Sequence, residues 1–293
     1  MPTTSANGLD LYHDTFGDPT AETVLLVSGL GAQCIGYEVE LCEAIAARGF
    51  HVVRYDNRDV GLSTHLDHGP VDVMAAVVAA FAGEVVHAPY DLSDMAADGM
   101  ALLDALGVDA AHVVGASMGG MIAQTMAIEH PDRVRSLTSI MSTTGEREYG
   151  TPATETLTAL MGIMSPVEDR AGRIEQGVEL ARIIGTDWTF DEAKVRERTA
   201  TLIDRSYDPE GTSRQMMAIL ASGSRAEGLA TLDLPTVVLH GDRDPLVDIS
   251  GGRRTAELVP GAELSVLERM GHDLPPQYWD RIVGGVLAAT GRS

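Results

Sequence analysis

Cysteine is scarce in this 293-residue chain, which holds only Cys34 and Cys42. Their spacing is neither that of paired metal ligands nor that of a disulfide framework, so a small stapled module is excluded and a reduced, cytoplasmic setting is expected. Aromatic residues make up 4%, too few for the stacking surfaces that bind single-stranded nucleic acid. Lysine occurs once, as Lys194, and the basic residues together number 21 against 43 acidic ones, a formal charge of −22. A field of that sign repels phosphate backbones and anionic bilayers, so neither nucleic acid nor a membrane is an expected partner. Long apolar runs are also missing. The most apolar stretch, Val73–Ala82, is bounded by Asp72 and Glu84 and is too short to span a bilayer. The first ten residues, MPTTSANGLD, have neither the positive start nor the apolar centre of a signal peptide, so export is not expected.

What remains is an ordinary globular composition, 44% hydrophobic and 22% charged, in a chain long enough to bury a large core. Short β-branched runs end in Gly, Ser or Asp: TVLLVSG, HVVRYD, AHVVGAS, VRSLTSIM and TVVLHGD. Helical patterns lie between them. The alternation predicts an α/β fold with a mostly parallel sheet and helices on both faces, and near-continuous apolar strands are what burial on two sides demands. Residues 91–106 carry an apolar stripe of Leu92, Met95, Ala96, Leu102, Leu103 and Leu106 at helical spacing, stopped by Gly107. A strand over 111–116 follows, then a helix over 118–130 that Pro131 ends.

Over residues 146–228 the strand signals vanish. The economical reading is a core built from residues 1–145 and 229–293, with a helical cap inserted as 146–228. Inside the insertion, SPVE at Ser165 to Glu168 reads as a capping box with proline in the first turn, and Asp208 with Pro209 reads as a second helix start. Met161, Met164, Met216 and Met217 either fill the insertion's own core or line an adaptable apolar cleft. The SGLG stretch at 28–31 is not a dinucleotide fingerprint, because the third glycine of GxGxxG would fall on Cys34.

The chemistry rests on VVGASMGGM, residues 113–121, which puts Ser117 at a strand-to-helix turn between Gly115 and Gly119. A strained turn of that kind needs small residues two before and two after the serine. A serine hydroxyl is a weak nucleophile until a base takes its proton and an acid holds the base. TVVLHGDRDPLV, residues 236–247, ends a strand with Asp242 and Asp244 just before a proline. Asp244 is the chosen carboxylate and Asp242 its rival. AELSVLERMGH, residues 262–272, brings His272 after Gly271, whereas His240 and His112 sit within strands. The chain order Ser, Asp, His suits this kind of sheet.

Taken with the DNRD loop at 56–59 and the stretches PYDLSDMAAD and IMSTTG, these residues resemble the α/β-hydrolases over almost the whole chain. The likeness is greatest to the actinobacterial esterase branch that includes LipG-like hydrolases and anthracycline methylesterases. The resemblance implies Ser117 as nucleophile, His272 as general base and then acid, and Asp244 as the residue orienting the imidazole. It implies an oxyanion hole from the backbone N–H groups of Leu30 and Met118, with no metal or organic cofactor. Many relatives carry His-Gly where this chain has Ser28 and Gly29, so the anchoring bond of that loop is expected to differ. Asp56, Arg58 and Asp59 are read as a structural network and Cys34 as a packed residue. The expected partner is a small-molecule ester of medium size in a covered, mainly apolar pocket; oligomeric state is not legible. Two other readings use the same pocket: cofactor-free perhydrolysis of the haloperoxidase type, and a non-catalytic binder of small ligands. Ester turnover lost on Ser117→Ala separates the enzyme from the binder.

Overall fold

The structure, a computed structural model, describes residues 3–163 and 167–292, with backbone alone over 160–163. It opens with a hairpin that no apolar run announces, β1 (Thr3–Ala6) and β2 (Leu9–Phe16), paired antiparallel from Thr3↔Tyr12 to Ala6↔Leu9. Half of its side chains face solvent, so its pattern reads as polar. The signal lies in the turn: Asn7 and Gly8 both take positive φ, 50° and 75°, which is the two-residue Asn-Gly link whose twist matches a hairpin.

Strand and helix then alternate through β3 (Thr23–Val27), α1 (Val39–Ala46), β4 (His51–Tyr55), α2 (Val73–Ala82), α3 (Leu92–Ala105), β5 (Ala111–Ala116), α4 (Met118–Glu129) and β6 (Val134–Ile140). Among the described residues five α-helices follow without a strand: α5 (Thr154–Ile163), α6 (Arg170–Ile184), α7 (Glu192–Arg205), α8 (Pro209–Ser222) and α9 (Ala226–Leu229). The chain closes with β7 (Thr236–Gly241), α10 (Ser250–Leu258), β8 (Glu263–Leu267) and α11 (Trp279–Thr290).

Among the described residues the eight strands form one sheet in the order β1-β2-β4-β3-β5-β6-β7-β8, parallel from β4 to β8. Alternate residues of each central strand enter opposite cores. Leu25, Val27 and Val113 pack with Met95, Leu102, Ile122 and Met126 of α3 and α4, while Val24, Leu26 and Val114 pack with Leu41, Ile45, Ile282 and Val286 of α1 and α11. That two-sided burial is why these strands read as unbroken apolar runs. After β3 the chain steps outward to β4 and returns past β3 to β5, so the strand order reverses between β3 and β5. In such sheets a crevice opens beyond the carboxyl ends of the strands at that point.

Helix α3 starts within a residue of the predicted stripe, and Asp91 caps it: its carboxylate accepts from the Ser93 and Asp94 amides and Asp94 reaches back to the Asp91 N–H. Helix α8 begins with Pro209 after Asp208, which caps the Gly211 N–H. The expected box at Ser165 to Glu168 is a correction. Ser165 and Pro166 lie outside the described residues, Val167 and Glu168 are not helical, and α6 starts at Arg170 with Asp169 accepting the Gly172 N–H. The carboxylate one turn further on supplied the better cap. Of the four methionines, Met217 is buried and Met216 half-buried; the side chains of Met161 and Met164 lie outside the described residues.

Helix α2 is unusual. Asp72 caps its start and Gly83 its end, yet only Ala76 is buried, and Met74, Val78 and Phe81 are 57%, 65% and 74% exposed. Among the described residues no helix is long and apolar enough to cross a membrane.

Candidate active site

Ser117 follows β5, Asp244 follows β7 and His272 follows β8, so a parallel sheet delivers all three to one rim. At Ser117 the backbone takes φ 57° and ψ −122°, a strained conformation for a residue with a side chain. The surroundings hold it there. The Ser117 N–H donates to the Ile140 carbonyl at 2.9 Å, and its own carbonyl accepts from the Ser142 hydroxyl at 2.8 Å and from the Gly120 amide at 2.9 Å. Gly115 and Gly119 leave room for the sharp turn: a Cβ on Gly115 would overlap the Gly119 carbonyl, and one on Gly119 would overlap the Val27 carbonyl. The SGLG loop meets the serine directly, since a Cβ on Gly29 would lie 3.2 Å from the Ser117 Cβ and 3.7 Å from its Oγ. That loop turns tightly, with the Ala32 N–H donating to the Gly29 carbonyl at 3.2 Å and Gly31 at φ +63°. Met118 opens α4, where a helix amide has no carbonyl one turn earlier to bond.

His272 spans the other two. Its Nε2 lies 2.9 Å from Ser117 Oγ and its Nδ1 2.7 Å from Asp244 Oδ2. The Asp244 carboxylate sets the tautomer: Nδ1 donates to it, which leaves Nε2 to accept from the serine hydroxyl. Asp244 is 6% exposed and His272 8%. The other oxygen of Asp244 accepts from the Leu246 and Val247 amides at 2.9 and 2.8 Å. Burial pushes the Asp244 carboxyl up, but the His272 charge, hydrogen bonds from His240 and His272 and the Val247 amide outweigh it and bring it down to about 2. Asp242 is exposed and accepts the Arg269 amide, away from the imidazole. His240, fully buried beneath the site, donates from Nε2 to the Val247 carbonyl at 2.8 Å and stands 3.5 Å from Asp244. Sequence reading dismissed it as a strand residue; its spacing of four from Asp244 was the available signal.

The helices between β6 and β7 hold the loops of this site. The His272 N–H donates to the Ile184 carbonyl at the end of α6 at 2.7 Å, and the Gly271 N–H donates to Thr186 Oγ1 at 2.9 Å. Thr186 in turn gives its hydroxyl and its amide to Asp273 at 2.6 and 3.1 Å. Burial raises the Asp273 carboxyl above its ordinary range despite those bonds.

The DNRD loop is a network. Asp56 accepts from the Cys34 and Leu62 amides and from Arg205 at 2.7–2.9 Å; Arg58 forks onto Asp98 at 2.6 and 2.7 Å; Asp59 takes Arg214, the Tyr90 hydroxyl and the Leu66 amide. Asp59, His65 and Asp208 bring ligand atoms within 4.8 Å of one another. Arg214 donates to both carboxylates of that group, so a fixed cation already balances them. Cys34 is buried, and burial with the neighbouring Asp56 drives its thiol far above the range in which thiolate forms.

Residues 22–276 match the sequence family described as the alpha/beta hydrolase fold. The chain is similar to rhodomycin D methylesterase DauP of Streptomyces sp. (strain C5), 28% identical over 99% of this chain and 98% of the relative. It is also similar to rhodomycin D methylesterase DnrP of Streptomyces peucetius, 28% identical over 96% and 94% of the two chains. Among solved structures, the meta-cleavage product hydrolase CumD of Pseudomonas fluorescens IP01 matches with a TM-score of 0.78 at 21% identity, over 99% of this chain and 97% of the other. At that identity the likeness concerns the fold.

Proposed function

The chain belongs to the α/β-hydrolase family, and from that premise we propose that it cleaves carboxylic esters through an acyl-enzyme formed on Ser117. The observation that carries the reading is the unbroken relay from Asp244 through His272 to Ser117, with links of 2.7 and 2.9 Å.

As Ser117 Oγ attacks the ester carbonyl, its proton passes to His272 Nε2, and the imidazolium is stabilised by the ionised Asp244 on its other side. The carbonyl oxygen becomes an oxyanion, and the Leu30 and Met118 amides are the donors assigned to it. Fixed backbone dipoles of this kind need no rearrangement when the charge appears. Collapse of the tetrahedral species breaks the bond to the alcohol oxygen, which takes the proton from His272. Water, deprotonated by the same imidazole, then attacks the acyl carbonyl and releases the acid and free Ser117. The helices of residues 146–228 act as a cap over the rim in this reading.

Similarity to two methylesterases makes methyl esters of larger acids the first class to test, beside short-chain p-nitrophenyl esters. Purified protein is expected to turn over at least one of these. Ser117→Ala should lose about a thousandfold or more of that rate while keeping its circular dichroism. An unchanged rate in the variant, or no hydrolysis of any ester by the parent protein, would refute the proposal.

A further inference from the structure

We propose that Gln215, on helix α8, is a positioning residue for the oxyanion loop: it fixes the Gly31 peptide and through it the turn that presents the Leu30 N–H to Ser117. The inference rests on the hydrolase reading and adds a residue to it that lies outside the sheet.

Gln215 is fully buried. Its Oε1 accepts the Gly31 N–H at 2.8 Å, and its Nε2 donates to the Arg58 carbonyl at 2.7 Å. A primary amide held between one donor and one acceptor has a single satisfied orientation, so the contact is directional. The carrier is rigid as well: the adjacent Arg214 grips Asp59 through two 2.9 Å bonds. Two residues beyond Gly31 the loop is tied again, because Gln33 donates to the carbonyls of Leu202 and Ser206 and accepts from Arg205. On the sheet side the Asp56 carboxylate takes the Cys34 N–H at 2.7 Å. Asn57 donates to the Ser28 carbonyl at 3.0 Å, but the Ser28 hydroxyl is buried with no partner among the described residues. Here the loop is secured from the helices between β6 and β7. Without the Gln215 oxygen the half-buried Gly31 N–H would lose its partner, a cost that rotation of the 30–31 peptide would relieve. In a four-residue turn that rotation is shared with the neighbouring 29–30 peptide, which carries the Leu30 N–H.

The experiment compares the full chain with Gln215→Met, which keeps the length and loses both bonds, and Gln215→Glu, which keeps an acceptor for Gly31. Each is assayed with p-nitrophenyl butyrate for kcat, KM and pH profile. Each is also titrated with trifluoroacetophenone, which forms a tetrahedral adduct on an active serine, and melted. Gln215→Met is expected to lower kcat by about 10- to 100-fold with KM nearly constant. Its ketone affinity should fall by the same factor as kcat/KM, with the pH midpoint unmoved because the His272 to Asp244 bond is untouched. Gln215→Glu should recover part of both losses. If kcat and ketone affinity stay at the parent values, or if melting temperature and kcat drop while ketone affinity does not, Gln215 is structural and the proposal is overturned. Ketone binding needs no turnover, so a parent protein that binds the ketone but cleaves no ester refutes the hydrolase reading and leaves the Gln215 comparison readable. A parent that does neither refutes both.

Discussion

At Asp244 two opposing effects meet. Desolvation favours the protonated acid, while an imidazole, a second histidine and two backbone amides favour the carboxylate, and the balance falls near pH 2. The sign of the stability effect follows: the folded-state value lies below that of the unfolded chain, so this group stabilises the fold above about pH 4 and loses that contribution as pH falls toward 2. Asp244→Asn should therefore cost on the order of 2 kcal/mol at pH 5, and the gap to the parent should shrink by about 1 kcal/mol at pH 3. Urea unfolding at the two pH values checks this; a gap that widens on acidification would contradict it. The same substitution is expected to lower kcat by about 10⁴, since it leaves the imidazole in the wrong tautomer. The place of Asp244 and Ser117 at one rim of the sheet was legible because each follows a strand with a recognisable turn. The approach of His240 to Asp244 was not, because it depends on the carboxylate above it rather than on its own run.

Among the elements, legibility tracked burial. Strands β3 to β7 are covered on both faces and announce themselves, whereas the hairpin of β1 and β2 is half solvated and is betrayed only by Asn7 and Gly8. Helices with a carboxylate cap directly before an apolar stripe, such as α3, were readable to within a residue. The start of α6 was not, because two caps compete within five residues. Least legible of all were the bonds between the inserted helices and the loops of the site. Gln215 and Gly31 are 184 residues apart, and Thr186 and Gly271 are 85 apart, so no local pattern links them. At the histidine loop the fit is close: a Cβ on Gly271 would lie 2.5 Å from the Gly185 carbonyl carbon and 2.8 Å from the Ile184 oxygen, both backbone atoms that cannot rotate aside. Gly271→Ala must push α6 and this loop apart. It is expected to destabilise the protein by about 1–3 kcal/mol and to reduce kcat/KM more than tenfold by displacing His272 (about a 1 Å shift suffices), measured by thermal melts and ester kinetics.

For the molecule as a whole, a charge of −22 and the uncovered apolar side of α2 act in opposite directions. Mutual repulsion opposes contact between these faces at neutral pH, and as carboxylates protonate that repulsion fades while the apolar side remains. Replacing Val78 and Phe81 with serine should leave stability within about 0.5 kcal/mol per site, because both side chains are already wet. The variant should also scatter less light than the parent on acidification; equal scattering would clear α2 of any part in association. A different consequence follows from where the relay residues lie along the chain. Under the proposed mechanism the nucleophile follows a central strand, and its base lies 155 residues later in the chain, beyond the edge strand β8. Under that mechanism a growing or refolding polypeptide is expected to gain ester hydrolysis only once β8 has joined the sheet, so the return of activity would time the completion of folding.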